Sequence, residues 1–513
     1  MVTKYAYSIV CVVLLFFFAS ILVQPIRAFL SGDANCDGRV DGIDYIKWLT
    51  SYGTAPQSCP NDPDFNNDNK VDGIDYVMWL TNYGAVETST PTPTATKTPT
   101  PTATIIPTNT PTSGPTPTVP AGTVDASTMD RKFMLGYQGW HQTPCDGSPS
   151  ATWRHWFGGT PPNSPLIDMW PDVSELTTAE RCDTGLKLPN GQPAYLFSDY
   201  NQTTVIRHFQ WMQQNGIDGV MLQRFTSELS NSAMFTIRNK VAANTRLGAE
   251  QTGRVFTIMY DISGQNASTL VSTIENDWKY LVDTQKITSS SQYLKQGGRP
   301  LVVIWGFGFS DRPGTPSDLQ TLLTFFHNNT NPAYRATVMG GVNNDWRTNS
   351  TWATALTGFD VISPWMVGRV NSLSSADGYR STISAEVLYA KSHNQLYMPV
   401  IFPGFSFHNQ SGSTLNQIPR LGGNFVWRQA YNYLSLGATM LYGAMFDEVN
   451  EGTAFFKQAP TSAGWPSGMT MVPLNTDGYT QIPSDWYLKV AGEITKMTRG
   501  TIPVSQTMSI TPH

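Results

Sequence analysis

Charged residues are scarce in this chain. Asp, Glu, Lys and Arg together make up 14% of its 513 residues, whereas about 25% is typical of soluble domains. The formal net charge is -5, and no segment shows the clustered Lys and Arg that a nucleic-acid-binding face requires. The composition therefore argues against nucleic acid as a partner and favours uncharged ligands.

Cysteines are few, and glycine-rich phosphate loops are missing. No candidate helix opens on such a loop, which argues against a nucleotide-binding open sheet. Of the five cysteines, one lies in the N-terminal apolar segment, which leaves an even number, as expected in an oxidising compartment. The simplest of three connectivities pairs neighbours along the chain: Cys36 with Cys59, and Cys145 with Cys182.

The N-terminus carries one long apolar run. Lys4 precedes it, the run covers residues 5–23, and Ile26-Arg27-Ala28 then resembles a small-residue cleavage site. The run is just long enough to span a bilayer, so residues 1–28 are either a cleaved signal peptide or a membrane anchor. Both alternatives predict a secreted protein or one attached to the cell surface.

Two stretches, "DANCDGRVDGIDYIKWLTSYG" from Asp33 and "DFNNDNKVDGIDYVMWLTNYG" from Asp64, repeat with a period of 31 residues. In each, side-chain oxygens and one backbone carbonyl recur in the register of a calcium-binding loop. The sequence predicts two structural Ca²⁺ sites within residues 31–85. Their ligands would be Asp33, Asn35, Asp37, Arg39, Asp41 and Asp44 in the first loop, and Asp64, Asn66, Asp68, Lys70, Asp72 and Asp75 in the second.

The duplicated loops resemble a type I dockerin, the module that attaches extracellular enzymes to cohesin-bearing scaffolds. Such modules close each loop with Asp, as Asp44 and Asp75 do. The Ser-Thr pair often found before that Asp in cellulosomal modules is replaced here by Gly-Ile in both repeats. The resemblance implies a small all-α pair of loop-helix units and a cohesin-type partner.

The remaining chain divides into a spacer and a large domain. Residues 86–123 are rich in Pro and Thr and cannot bury a core, which predicts a semi-rigid linker. Residues 124–505 alternate eight short apolar runs with helical patterns, as in "TTVIRHFQWMQQNGIDG" from Thr203. Eight buried strands alternating with helices favour a parallel (β/α)8 barrel.

Polar and aromatic side chains gather where the predicted strands end. In a (β/α)8 barrel these ends form the active face, and Trp rings with amides and acids suit a sugar. Aromatic residues reach 12% of the chain, including 15 Trp. The candidate substrate-binding residues are Trp140, His141, Gln223, Arg224, Asp261, Trp305, Trp346, Trp365, Arg369, His408 and Asn409.

Two carboxylates follow the last predicted strand, in "AMFDEVNEGTAFF" from Ala444. Hydrolysis of a glycosidic bond needs a pair of carboxyl groups beside the anomeric carbon. A turn after Glu448 would bring Glu451 to the same side, whereas a continuing strand would point the two apart. Gly452 favours the turn, so Glu448 and Glu451 are the catalytic candidates; the alternative is a structural pair.

The segment from "MLGYQGW" to "YGAMFDEVNEGTAFFK" resembles glycoside hydrolase families 71 and 99, the latter comprising endo-α-1,2-mannosidases and endomannanases. It is most similar to bacterial relatives labelled xylosidase/arabinosidase. Family 99 typically has the motif Asn-Glu-Trp-x-Glu-Gly-Thr, and this chain has Asp447 and Val449 at the Asn and Trp positions. The resemblance implies a retaining barrel enzyme without a catalytic metal. Glu448 would be the base acting on the substrate's own 2-hydroxyl, and Glu451 the acid.

Together these features predict a monomeric, dockerin-bearing glycoside hydrolase that acts on α-linked polysaccharides, and mannan-type polymers are the favoured substrates. Neighbouring alternatives are an α-1,3-glucanase and a xylosidase/arabinosidase. The alternative from another class is a carbohydrate-binding surface protein without turnover.

Overall fold

The computed structural model describes residues 122–512 and parts of the N-terminal region: 33–35, 39–40, 42–51, 63–65, 69–71, 75 and 78. In the first repeat, α1 spans Gly42–Ser51; in the second, Asp75 and Met78 are helical. Several predicted features lie outside the described residues: residues 1–28, most of the linker, Cys36, Cys59, Asp37, Asp41, Asn66, Asp68 and Asp72.

Among the described residues, no helix is long and apolar enough to cross a membrane. This finding is against the predicted localisation at a membrane or cell surface through the N-terminal apolar run, and that prediction is corrected. The run itself lies outside the described residues.

Residues 122–512 form a (β/α)8 barrel, as the sequence predicts. The strands are β1 (Phe133–Tyr137), β2 (Arg181–Lys187), β3 (Pro193–Phe197), β4 (Gly219–Phe225), β5 (Val255–Asp261), β6 (Lys295–Gln296), β7 (Arg299–Trp305), β8 (Thr337–Val342), β9 (Val361–Pro364), β10 (Leu396–Tyr397), β11 (Val400–Ile401) and β12 (Leu441–Gly443). The parallel sheet runs in the order β10-β9-β8-β7-β5-β4-β1-β12-β11.

The barrel closes because β10 and β11 are two halves of one strand. β10 pairs with β9, and β11 pairs with β12. Between them, Met398 donates its backbone N–H to Ile362 on one side, and Pro399 accepts from Tyr442 on the other, each at 2.9 Å. Pro399 has no N–H to donate, so the ladder is interrupted there. Counting this pair once gives eight parallel strands around the barrel.

Helices cover the outside of the barrel. They are α2 (Gln202–Gln214), α3 (Ser232–Thr252), α4 (Leu270–Asp283), α5 (Pro316–Asn328), α6 (Ala353–Leu356), α7 (Leu373–Gly378), α8 (Arg380–Ser392), α9 (His408–Ser411), α10 (Asn424–Leu434) and α11 (Trp486–Arg499). The predicted apolar face of α2 buries Val205, Phe209 and Met212. Because helices cover one face of the sheet and the barrel core covers the other, almost every residue of the parallel strands is buried, and most of them are apolar.

A long insertion separates β1 from α2. It contains the antiparallel pair β2 and β3 and the disulfide between Cys145 and Cys182, whose Cα atoms are 5.7 Å apart. The predicted pairing of these two cysteines is therefore confirmed. The insertion packs against the loop that follows β12, because Asp168 donates its backbone N–H to Val449 at 2.9 Å.

Candidate active site

The chain turns directly after β12, and we call residues 447–453 the acidic loop. One carboxylate oxygen of Glu448, Oε1, accepts the backbone N–H groups of Asn450 at 2.8 Å and Glu451 at 3.1 Å. Gly452 has a φ of 62°, and a Cβ there would lie 3.1 Å from Ser406 atoms. These contacts bring Glu448 and Glu451 to the same cavity instead of opposite faces of a strand.

Asp447 joins the acidic loop to the end of β1. Its two carboxylate oxygens accept the backbone N–H groups of Gln138 at 2.8 Å and Gly139 at 2.9 Å. Gln138 in turn donates its side-chain amide to Glu448 Oε2 at 2.7 Å. An asparagine would offer one acceptor oxygen instead of two. Asp447 therefore suits this double contact, which holds the backbone of Gln138 in place beside Glu448.

The other end of the loop is held by Arg420 and Asn450. The Arg420 guanidinium is buried and donates to the carbonyls of Gly452 at 2.7 Å and Ala454 at 3.0 Å. The side-chain amide of Asn450 donates to two carbonyls of the β1–β2 insertion at 2.9 Å each. A rigid support of this kind is what a catalytic carboxyl pair needs.

Both glutamates line a cavity of about 240 Å³ at the carboxyl ends of the barrel strands. The cavity wall consists of Gln138, Trp140, Gln223, Phe225, Asp261, Ser263, Trp305, Arg312, Trp365, Ala444, Met445, Glu448, Glu451 and Thr453. Its mixture of aromatic, amide and carboxyl groups is that of a small polar ligand site.

Burial dominates the electrostatics of the pair. It raises the pKa of Glu448 to about 8, with the neighbouring charge of Glu451 acting in the same direction. It raises the pKa of Glu451 to about 7, against the opposing charge of Arg312. Two interacting carboxyl groups lose their protons in steps that belong to the pair. Near neutral pH the pair therefore holds about one proton, the state required of an acid and a base acting together.

Four polar atoms of the cavity wall are buried without a hydrogen-bond partner in the described part of the chain. Two are acceptors, the Oε1 atoms of Gln138 and Gln223, and two are donors, Nε1 of Trp305 and Nε of Arg312. Unpaired buried polar atoms are costly and rare. Their convergence on one cavity indicates a ligand that carries several hydroxyl groups.

The structure brings seven predicted residues together in this cavity: Trp140, Gln223, Asp261, Trp305, Trp365, Glu448 and Glu451. Trp140 is stacked against two rings, His155 at a centroid distance of 3.7 Å and Phe225 at 5.4 Å. These ring contacts hold the Trp140 indole in the cavity wall.

Six predicted binding residues lie outside the cavity wall, and two of these are buried in networks beside it. His141 is fully buried, bonded through Nδ1 to Asp199 at 3.2 Å, and it accepts the indole N–H of Trp140 at 3.3 Å. Arg224 points outward from β4 and donates to Asp277 of α4. Alternation along the strand explains this, since Gln223 faces the cavity and its neighbour must face the helices.

The other four belong to loop structure. Trp346 is buried and packs edge-on against Tyr389, and Arg369 is exposed and donates to Asn343 at 2.9 Å. The backbone N–H groups of His408 and Asn409 bind the carboxylate of Asp168 at 2.6 and 2.8 Å. These residues follow strand ends in sequence, but the loops carry them away from the cavity.

Sequence reasoning missed the other half of the cavity wall: Gln138, Phe225, Ser263, Arg312, Ala444, Met445 and Thr453. Gln138 directly follows β1, so its position was a usable signal. Arg312 lies seven residues beyond the end of β7, in an irregular loop where no periodicity indicates direction.

Of the described residues, His141, Asp199 and Asp447 offer ligand atoms within 4.8 Å of one another. Their oxygens already accept protein hydrogen bonds: Asp447 from two backbone N–H groups, and Asp199 from Tyr137 and His141. The contacts describe a buried hydrogen-bond network behind the acidic loop.

No known protein-family profile matches the chain, and no curated protein matches it. Solved structures do. A GH99 endo-α-mannosidase from Bacteroides thetaiotaomicron, in complex with bis-tris propane, has a TM-score of 0.53 at 14% identity, over 73% of this chain and 99% of that one. A second structure of the GH99 endo-α-mannosidase from this organism has a TM-score of 0.52 at 15% identity, with the same coverage. This likeness establishes the barrel fold.

Proposed function

We propose that the chain is a glycoside hydrolase that cuts α-linked polysaccharides, with mannan-type polymers favoured. The observation that carries the proposal is the pairing of Glu448 and Glu451 in one cavity whose wall also holds four unpartnered polar atoms. Such a set can bind a sugar ring and act on the bond at its anomeric carbon. The fold shared with an endo-α-mannosidase supports the mannan preference.

In the proposed mechanism Glu448 is the base and Glu451 the acid. Three N–H donors hold Glu448 in place and favour its ionised form, but burial still leaves Glu448 with the higher pKa of the two. The roles therefore follow the resemblance to family 99, and the proton that the pair shares must lie on Glu451 when the sugar is bound. Glu448 takes the proton of the sugar's own 2-hydroxyl, whose oxygen attacks the anomeric carbon as Glu451 protonates the leaving oxygen. Glu451 then removes a proton from water, which opens the 1,2-anhydro sugar while Glu448 returns its proton. Two inversions give overall retention.

The test of this function is hydrolysis of α-mannan, α-1,3-glucan and arabinoxylan by the full chain, with products identified by chromatography and NMR. Release of mannose-containing products supports the proposal. Cleavage of only glucan or arabinoxylan would assign the enzyme to one of those substrates instead. Binding of a polymer without any cleavage would replace the hydrolase with a carbohydrate-binding protein.

The pH profile gives a first prediction. Since the active form holds one proton on the pair, kcat/KM should be greatest between about pH 7 and 8. Below this window the pair gains a second proton and loses its base, and above it the pair loses both protons and its acid. Initial rates from pH 4 to 10 check this prediction. An optimum at about pH 4 to 5, where unperturbed carboxyl groups would share one proton, would contradict the assigned electrostatics.

We also propose that the N-terminal repeats hold two Ca²⁺ ions. The acids at the first and last positions of both loops are buried: Asp33, Asp44, Asp64 and Asp75. Asp44 Oδ1 accepts the backbone N–H of Asn35 at 3.1 Å, and Asp75 Oδ1 accepts that of Phe65 at 2.8 Å. Buried carboxylates fit a cation that neutralises them, and hard oxygens suit calcium. Bound calcium would supply structural stability and no catalytic step.

Calcium removal gives the second prediction. EDTA should lower the melting temperature of an N-terminal transition in calorimetry of the full chain, because calcium at 100 times its Kd adds about 2.7 kcal/mol. The double variant Asp44→Ala and Asp75→Ala should show that lower transition with or without calcium, and the barrel transition should not move. A calcium-insensitive wild-type chain would refute the proposal. Pull-down with cohesins, with and without EDTA, tests a scaffold partner.

A further inference from the structure

Among the described residues, Arg312 is the one cationic residue in the wall of the cavity that holds Glu448 and Glu451. It lies in the loop after β7, with the centre of its guanidinium 5.2 Å from the centroid of the Trp305 ring. Its Nε is buried without a hydrogen-bond partner in the described part of the chain. Its ion pair within 4.0 Å is with Asp311, whose side chain is 68% exposed. The guanidinium is therefore fixed from outside the cavity, with one donor still to be satisfied.

Asp261 faces Arg312 from the neighbouring strand. It ends β5 and is the register partner of Trp305 on β7, so the carboxylate and the Trp305 ring that carries Arg312 are adjacent. Asp261 is buried and accepts the backbone N–H of Ser263 at 2.8 Å. Burial raises the pKa of Asp261, and the charge of Arg312 opposes this shift, yet no ion pair within 4.0 Å joins the two among the described residues. The wall of the cavity therefore holds a carboxylate and a cationic side chain whose buried Nε–H lacks an acceptor.

We propose that Asp261 and Arg312 together bind one hydroxyl group of the sugar in this cavity. A hydroxyl has one proton to donate and lone pairs to accept, so it can donate to the Asp261 carboxylate while it accepts from Arg312 Nε. Both contacts are charge-assisted and stronger than neutral hydrogen bonds. The inference rests on the proposed function, to which it adds the recognition of a particular hydroxyl.

The charges of the cavity favour a neutral hydroxyl over an anionic group. Three carboxyl groups, Asp261, Glu448 and Glu451, line it beside the single guanidinium. A carboxylate or phosphate on the ligand would meet Asp261 as well as Arg312, and like charges repel. The site therefore selects an uncharged sugar and rejects one that lacks the bridging hydroxyl, since Arg312 Nε would stay buried and unpaired.

The experiment measures monosaccharide binding to the full chain by tryptophan fluorescence, which Trp305 and Trp365 should report. The probes are D-mannose, D-glucose and D-xylose, followed by monodeoxy analogues of the tightest binder. Arg312→Met and Asp261→Asn should each weaken binding about 10- to 100-fold. The double variant should lose little more, because both groups bind the same hydroxyl. One deoxy analogue should bind wild type equally weakly and show no further loss with Arg312→Met.

Two further variants make the test specific. Arg312→Lys keeps the positive charge but not the Nε donor, so its monosaccharide binding should stay as weak as that of Arg312→Met. Binding as tight as in wild type would show that charge alone matters and would overturn the inference. Arg246→Met, in a surface pair with Glu250, should bind like wild type. Thermal denaturation confirms that each variant folds.

The remaining outcomes also decide. Additive losses, or the same loss for every deoxy analogue, would overturn the shared hydroxyl. If a polymer is cut and Arg312→Met leaves KM and kcat unchanged, the proposed binding of a hydroxyl by Asp261 and Arg312 is wrong, while the proposed function stands. If no polymer is cut and no monosaccharide binds, both fail.

Discussion

Replacing Glu451 with Gln is expected to lower kcat on a polysaccharide about 100- to 10,000-fold, the usual contribution of a general acid. The side chain keeps its size, and Glu451 carries no ion pair whose loss would disturb the loop in the described structure. Binding should change little. Steady-state kinetics on the polymer identified in the substrate panel, with Glu250→Gln on α3 as the matched control, measure the effect.

A substrate with a reactive leaving group separates the two glutamates. A glycosyl fluoride needs little protonation, so Glu451→Gln should cleave it at a rate near wild type. Glu448→Gln should remain slow on the fluoride as well as on the polymer, since the base is required in either case. If both variants are equally slow on the fluoride, the assigned roles are wrong; if both keep full activity on the polymer, the pair is structural.

The barrel could be predicted from the sequence because each strand is a short apolar run bounded by polar residues. Each of the eight runs contains a strand; the run that begins at Met398 contains β11, and β10 directly precedes it. The spacing of apolar residues in each segment indicates whether it forms a helix or a strand. The alternation of strands with helices along the chain then indicates a parallel sheet. No long-range information is needed for this step.

The candidate active site was only partly predictable, because several of its residues lie in loops. Residues on a strand, such as Gln223 and Asp261, have a direction set by alternation from the residues before them. His408 and Asn409 lie in a short helix after β11, and their direction is set by Asp168, more than 200 residues earlier in the chain. Arg312 lies in an irregular loop beside Asp311 and Trp305, and no periodic pattern in that loop indicates that it enters the cavity.

Arg224 shows how a strand residue can still be assigned incorrectly. It adjoins Gln223, and both are polar residues near the end of β4. A guanidinium at such a place resembles a ligand-binding group, but alternation turns one of the two neighbours toward the helices. The decisive signal would have been a buried acid on the covering helix, and Asp277 of α4 is that acid.

Replacing Asp277 with Ala is expected to cost the barrel about 3 to 5 kcal/mol of stability, because it leaves a buried guanidinium uncompensated. Arg224 is 1% exposed, and its Nε lies 2.6 Å from Asp277 Oδ2. The same oxygen accepts the hydroxyl of Tyr260 at 2.8 Å, which the substitution also leaves unpaired. Urea unfolding followed by circular dichroism measures the loss.

The double variant Arg224→Met and Asp277→Leu distinguishes a structural ion pair from a substrate contact. Replacing both charges with apolar groups removes the uncompensated guanidinium, so most of the stability lost in Asp277→Ala should return. Because Arg224 lies outside the cavity wall, this variant should keep the KM of wild type for its polymer. A raised KM in a folded double variant would return Arg224 to the substrate site. Equal stability of Asp277→Ala and wild type would show that the buried pair contributes little to the barrel.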